Sequence, residues 1–139
     1  MLDCEADSDL IQKFIDFCRC EYKNCKVYKI LPGLYVESGD ISNNDGSGKD
    51  SENSVKLSQI ICNGEKYVQP RSVSMVLKDD GSVGSKFEIS LKKTAKFRNQ
   101  VVIGRVVKGF ENVVALERFG SRFGRPIKAV FIENCGIMK

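Results

Sequence analysis

The cysteines are the most reactive side chains of this sequence, which has six of them and no histidine. Without an imidazole, this sequence cannot form a Ser-His-Asp or Cys-His catalytic site, and it cannot bind a metal through histidine. Cys18, Cys20 and Cys25 lie close together in the sequence, but their spacing matches no common zinc motif. We therefore interpret the cysteines as thiols and expect neither a metal site nor a cofactor.

Two glycine-containing segments are candidates for ligand loops. Gly46-Ser-Gly48 lacks the spacing of a Walker phosphate loop and no helical pattern follows it, so it predicts a tight turn. Asp79-Asp-Gly81 lacks the other ligands of an EF-hand loop and also predicts a turn.

Basic side chains are dense in the second half of the sequence. Between positions 86 and 108 there are seven Lys or Arg residues and one acid, Glu88, and Arg118, Arg122, Arg125 and Lys128 follow. Such a density could bind RNA or an acidic protein segment. Strands point side chains to both sides, however, and motifs of RNA-binding domains are absent. A solvated surface is the favoured interpretation, and nucleic acid is the less favoured partner.

The length and composition set the broad class. A chain of 139 residues is long enough for one domain with a hydrophobic core. No apolar run approaches the roughly 20 residues that span a bilayer, so no membrane contact is expected. The acidic first seven residues resemble neither a signal peptide nor a transit peptide. We expect an intracellular protein with reduced thiols.

Hydrophobic periodicity predicts two helices and several short strands. Leu10, Phe14 and Cys18 share one face of a helix over residues 8–18, and a second helix over 110–119 ends at Gly120. A polar, glycine-containing loop is predicted over residues 38–53 and a turn over 78–84. Strands are predicted at residues 26–31, 34–37, 55–61, 71–77, 86–91, 101–107 and 129–132.

The order of these elements resembles that of the cyclophilins, the family of peptidyl-prolyl cis-trans isomerases. Residues 101–136 are similar to the closing segment of that family, which has a Phe-Gly-Ser-Arg turn after its helix and ends in Asn/Asp-Cys-Gly. Residues 26–33 resemble the Phe-His-Arg-Val-Ile-Pro-Gly strand, and Glu37-Ser-Gly-Asp40 resembles Gln-Gly-Gly-Asp. The resemblance implies a mainly β fold, a closed or partly open antiparallel β-barrel with two flanking helices.

The resemblance covers residues 8–139 and leaves a short tail over residues 1–7. A cyclophilin begins with two strands before its first helix, and this sequence lacks them. A fragment or a truncated gene model is favoured over a natural short form. Residues 39–46 and 87–93 look most like the cyclophilin domain of the large Ran-binding nucleoporin, which implies a place in the cytoplasm or at the nuclear pore.

The resemblance also assigns the isomerase site position by position. Lys29 stands in place of the catalytic arginine, Glu37 in place of the glutamine that orients it, and Glu88 in place of a phenylalanine of the proline pocket. No tryptophan corresponds to the one linked to cyclosporin binding, so that drug is not expected to bind. The remaining pocket positions are Leu34, Tyr35, Leu77, Lys86, Phe97 and Gln100.

These replacements imply a degenerate site. A carboxylate at position 88 is incompatible with an apolar pocket, and a Lys29–Glu37 ion pair would hold the remaining cation. Alternatively, Lys29 and Glu88 are solvated strand positions. We expect a protein-binding module with little or no isomerase activity, whose partners are protein or peptide segments, including proline-containing ones. A weak isomerase acting through Lys29 and an electrostatic adaptor that uses the basic face are the alternatives.

Overall fold

The computed structural model describes residues 8–48, 55–56, 67–78, 82–95 and 100–138. Two α-helices and eight short strands make up its regular structure in these ranges, with a 3-10 helix after the second α-helix. The elements are α1 (Ser8–Arg19), β1 (Lys29–Leu31), β2 (Tyr35–Ser38), β3 (Val55–Lys56), β4 (Tyr67–Val68), β5 (Ser72–Leu77), β6 (Ser82–Ser90), β7 (Thr94–Ala95), β8 (Gln100–Arg105), α2 (Phe110–Ala115) and the 3-10 helix (Leu116–Phe119).

The main sheet is antiparallel, in the order β1-β2-β6-β5-β8, and β3 pairs with β6 beside this path. Strands β4 and β7 form a separate two-stranded ribbon. The prediction of a mainly β, antiparallel fold with two helices is confirmed. No closed barrel is found among the described strands, in which β1 and β8 are the two ends of the sheet path.

One face of the sheet forms the hydrophobic core. Ile30 pairs with Val36, Val36 with Ile89, and Ile89 with Val73, which makes an apolar row across four strands. Because side chains alternate between the two faces of a strand, this row fixes which residues face away from the core. The helix α2 and the 3-10 helix pack on the part of the core around Ile30.

The helix α1 packs on the same face through aromatic side chains. The ring of Phe87 on β6 lies 5.7 Å from that of Phe14 and 5.0 Å from that of Tyr22. The Tyr22 hydroxyl also donates a hydrogen bond of 2.6 Å to the Ser85 carbonyl oxygen. The predicted first helix is confirmed and ends one residue later, at Arg19. No helix in the described part of the chain is long and apolar enough to cross a membrane.

The second helix differs from its prediction at its end. Its last turn is a 3-10 helix, and Gly120 has an extended backbone, with φ of −84°, instead of the left-handed conformation of a typical C-terminal glycine. A Cβ atom at Gly120 would lie 2.7 Å from Ile30 Cγ2 and 2.8 Å from the Ile30 carbonyl oxygen. The glycine is therefore required by the close packing of this helix end against β1.

Several predicted strand limits were wrong. Residues 129–132 do not form a strand: Phe131 makes an isolated bridge to Lys26, with backbone hydrogen bonds from Val27 to Val130 and from Ile132 to Cys25. The strand predicted over residues 26–31 begins only at Lys29. Ser82 to Gly84, expected in a turn, belong to β6. Residues 57–61 of another predicted strand lie outside the described ranges.

The loop after β2 is organised around one buried carboxylate. Asp40 is fully buried and accepts hydrogen bonds of 2.8–3.2 Å from five backbone N–H groups. A Cβ atom at Gly48 would lie 2.0 Å from Asp40 Oδ1, so only glycine fits there. Burial alone raises the pKa of Asp40, but the backbone hydrogen bonds outweigh it and lower the pKa to about 2. The N–H donors belong to Ser42, Asn43, Asp45, Gly46 and Gly48.

Replacing Asp40 should remove this pH-dependent stabilisation. The pKa is lower in the folded state, so the carboxylate stabilises the fold above about pH 4 and the effect is lost as the pH falls towards 2. We expect Asp40→Asn to lower the free energy of unfolding by about 1–3 kcal/mol at pH 7, measured by urea titration. The difference from the unmodified chain should shrink at pH 2.

The control is Asp16→Asn on the exposed side of α1. Its ion pair with Arg19 at 3.8 Å is solvent-exposed, so the change should cost no more than about 0.5 kcal/mol. A loss for Asp40→Asn that is equally large at pH 7 and pH 2 would show that its charge is not what holds the loop.

Candidate functional site

Four strands bring together the residues that correspond to the predicted isomerase site. Lys29 on β1 is the cross-strand partner of Glu37 on β2, Glu37 is the partner of Glu88 on β6, and Glu88 is the partner of Ser74 on β5. These positions alternate with the apolar row through Ile30, so their side chains lie on the opposite face of the sheet. We call this set of four residues the polar row.

Three residues of the polar row, Glu37, Ser74 and Glu88, are buried although their side chains are polar, and Lys29 is half-buried. The exposed fractions of Glu37 and Glu88 are 6% and 2%. The interpretation of Glu88 as a solvated strand position was therefore wrong. Directly opposed residues in an antiparallel pair have Cβ atoms about 4.5–5.5 Å apart, so two carboxyl groups face each other here. Ser72, Ser74, Ser90 and Gln100 are also among the buried polar side chains.

The ammonium group of Lys29 places a positive charge at one end of the polar row. Its ammonium group lies 5.6 Å from the centroid of the Tyr35 ring, a distance at which a cation–π attraction operates. The expected Lys29–Glu37 ion pair is not formed between these two described side chains. Instead, Glu37 Oε2 accepts a hydrogen bond from the Tyr28 hydroxyl.

Gln100 joins the other end of the row, because its amide Nε2 donates a hydrogen bond of 2.9 Å to Ser74 Oγ.

Leu77 and Lys86, two other predicted site residues, instead line a separate small cavity of about 100 Å³. Leu34 lies in the turn between β1 and β2, where its carbonyl oxygen accepts a hydrogen bond from the Leu91 N–H. Phe97 lies outside the described residues.

The structure adds residues that the sequence analysis did not assign to the site. A cavity of about 300 Å³ next to Lys29 and Glu37 is also lined by Tyr28, Phe123 and Arg125. The Ile30 N–H donates to the Gly124 carbonyl oxygen at 2.7 Å, which brings the loop after the 3-10 helix to β1. Because Tyr28 is next to Lys29 in the sequence, its place at the site could have been predicted. The approach of residues 123–125 could not, because it depends on long-range packing.

A comparison with models of protein families matches residues 2–137 to the cyclophilin-type peptidyl-prolyl cis-trans isomerase family. The chain belongs to this family. As a cyclophilin, it carries a cationic hydrogen-bond donor, Lys29, on one side of the site. The middle of its polar row contains two glutamate side chains, Glu37 and Glu88.

Glu88→Gln tests whether the fold relies on the carboxyl group of Glu88. Glu88 is 2% exposed, and no buried side-chain oxygen of the described residues lacks a hydrogen-bond partner. The amide keeps the size of the side chain but replaces one acceptor oxygen by a donor, so we expect the free energy of unfolding to fall by about 1–3 kcal/mol at pH 7, measured by urea titration. The exposed Glu133→Gln is the control and should have no comparable effect. A gain of stability in Glu88→Gln would mean instead that repulsion between the two facing glutamates dominates.

Proposed function

We propose that this cyclophilin domain is a protein-binding module with little or no peptidyl-prolyl isomerase activity. The observation that carries the proposal is the burial of Glu37 and Glu88 as direct cross-strand partners. A proline ring has no group that can satisfy a carboxylate. Glu37 and Glu88 therefore offer the ring buried carboxyl groups where it would need an apolar surface.

The chemistry of proline isomerisation shows what such a site lacks. Rotation about the peptide bond meets a barrier of about 18–20 kcal/mol that arises from amide resonance. A catalyst lowers it by donating a hydrogen bond to the prolyl nitrogen, which becomes a better acceptor as the amide twists. The donor works only if an apolar surface holds the ring in place, because misplacement by about 1 Å can cost two orders of magnitude in rate.

Lys29 supplies the donor in a weaker form. An ammonium group is a strongly hydrated point charge on a flexible stem, and it lacks the planar fork with which arginine binds two groups at once. The nearby ring of Tyr35 offers it an alternative interaction. Both properties reduce the time that the donor spends at a substrate amide.

A weak isomerase is the second candidate, and one observation favours it. Lys29 lines the cavity of about 300 Å³ and makes no ion pair with Glu37. Its ammonium group therefore remains able to reach a peptide in that cavity. The two candidates differ in whether a peptide that binds is also isomerised.

Exchange spectroscopy by NMR on an Ala-Pro peptide separates the two candidates. We expect dispersed amide signals from the folded protein, but little or no acceleration of cis/trans exchange in the peptide. Any residual rate that depends on Lys29 should fall about tenfold or more in Lys29→Ala, because one transition-state donor is lost. Lys92→Ala, an exposed change of the same type, is the control.

The reverse experiment restores the site. The triple variant Lys29→Arg, Glu37→Gln, Glu88→Phe returns the residues that the family resemblance assigns to these positions, and we expect it to accelerate exchange about tenfold or more. A dispersed amide spectrum of the variant serves as the folding check. Rapid exchange catalysed by the unmodified chain would overturn the proposal, and an unchanged rate in Lys29→Ala would remove Lys29 from the mechanism.

We also propose that the chain acts in the cytoplasm or at the nuclear pore, as part of a larger protein. The support is the resemblance of residues 39–46 and 87–93 to the cyclophilin domain of the large Ran-binding nucleoporin. Fluorescent tagging of the gene at its own locus should give a signal at the nuclear rim. A signal confined to another compartment would contradict this placement.

A further inference from the structure

We propose that this chain has a second binding site, separate from the polar row, for an acidic protein segment that inserts an apolar side chain. The site lies between residues 26–28, 44–45 and 125–130, and we call it the C-terminal groove. It does not depend on the proposed function, because none of the residues that line it belongs to the polar row.

The C-terminal groove is a cavity of about 500 Å³. It shares Tyr28, Asp45 and Arg125 as lining residues with the cavity of about 300 Å³ beside Lys29, so the two cavities adjoin. Ligand sites commonly measure about 300–1,000 Å³, so the larger cavity alone can take one or two large side chains.

Aliphatic side chains form part of the wall of the larger cavity, with Val27, Pro126, Ile127 and Val130 among its lining residues. Ile127 is 66% exposed, and the neighbouring Phe123 is 84% exposed. Exposed apolar side chains gathered beside a cavity, unlike single scattered ones, are typical of interaction sites. An apolar side chain of a partner would remove this surface from water.

The charges around the groove favour an acidic partner. Lys26, Arg125 and Lys128 line the larger cavity and are exposed, and none of them makes an ion pair with another described residue. The acid among the lining residues is Asp45, whose Oδ1 already accepts hydrogen bonds from the Ser47 hydroxyl at 2.6 Å and the Ser47 N–H at 2.9 Å. The cations therefore remain for carboxylates of a bound segment.

The backbone of the groove is held in place before any ligand arrives. The Val27 N–H donates to Val130 at 2.8 Å, and the Ile127 N–H donates to Phe119 at 2.8 Å. The Ser121 hydroxyl donates to the Arg125 carbonyl oxygen at 2.6 Å. A preformed site loses less conformational entropy on binding than a loop that must first be ordered.

A protein segment fits this site better than RNA does. Single-stranded nucleic acid is usually bound by a basic track along its backbone and by aromatic faces on which bases stack. Here the cations lie beside aliphatic side chains, and the one aromatic ring that lines the cavity, that of Tyr28, is held by the hydrogen bond of its hydroxyl to Glu37. That arrangement suits a short segment in which Asp or Glu residues flank a Leu or Phe.

Fluorescence anisotropy with a labelled peptide tests the proposal. The probe is a ten-residue peptide of Asp and Glu with a central Leu-Phe pair, and a second probe has Ser-Ser at its centre. We expect the first probe to bind and the second to bind about tenfold more weakly. Lys128→Glu should weaken binding of the first probe about tenfold, and Ile127→Ser should have a similar effect.

The matched control is Lys92→Glu, which makes the same charge change at an exposed position outside the groove, and its affinity should stay within about twofold. NMR shifts on titration of the unmodified chain should centre on the amides of Lys26, Asn44 and Ile127. Equal losses in Lys92→Glu and Lys128→Glu would overturn the proposal, as would shifts that leave these amides unchanged. Tighter binding of an oligoadenylate RNA of similar length at the same salt concentration would also overturn it.

Discussion

The pairing register of β2 against β6 is the constraint on which the rest of the molecule depends. Val36 must meet Ile89 on the core face, and this places Glu37 opposite Glu88 on the other face. A shift of β2 by one residue would turn Glu37 into the hydrophobic core and remove Val36 from the apolar row. The packing of the apolar row therefore keeps the two glutamate side chains opposite each other.

The two faces of the main sheet differ in what they contribute to the cyclophilin scaffold. The core side of the sheet is apolar, and α1 and α2 pack on it through Leu10, Phe87 and Ile30. The residues of the polar row contribute little to that packing. Substitutions on this face can thus alter binding chemistry without disturbing the element order or the sheet topology.

The sequence predicted those features that local patterns encode. The limits of α1 and the alternation through Phe87, Ile89 and Leu91 follow from hydrophobic periodicity, and the family and its antiparallel sheet follow from motif order. Residues 129–132 were predicted as a strand because their composition fits one, but only Phe131 makes a bridge. Periodicity cannot show whether a neighbouring strand is placed to pair with a segment.

The sequence predicted which residues form the candidate site, but it predicted only some of their contacts. Motif matching gave Lys29, Glu37 and Glu88, and the strand register then placed them side by side. The burial of Glu88 and the hydrogen bond from Tyr28 to Glu37 depend on tertiary packing, which no local pattern reports. The same is true of the C-terminal groove, whose two sides are about a hundred positions apart in the chain.

The carboxylate of Asp40 has a consequence for the motions of the loop that follows β2. Five backbone N–H groups donate to this one carboxylate. A displacement that exposes one of them to water therefore also disturbs the hydrogen bonds of the others. Hydrogen exchange at these amides should therefore proceed through one common opening event. We therefore expect the loop to open as one unit beside Tyr28, which lies against Gly46 of the loop and donates a hydrogen bond to Glu37.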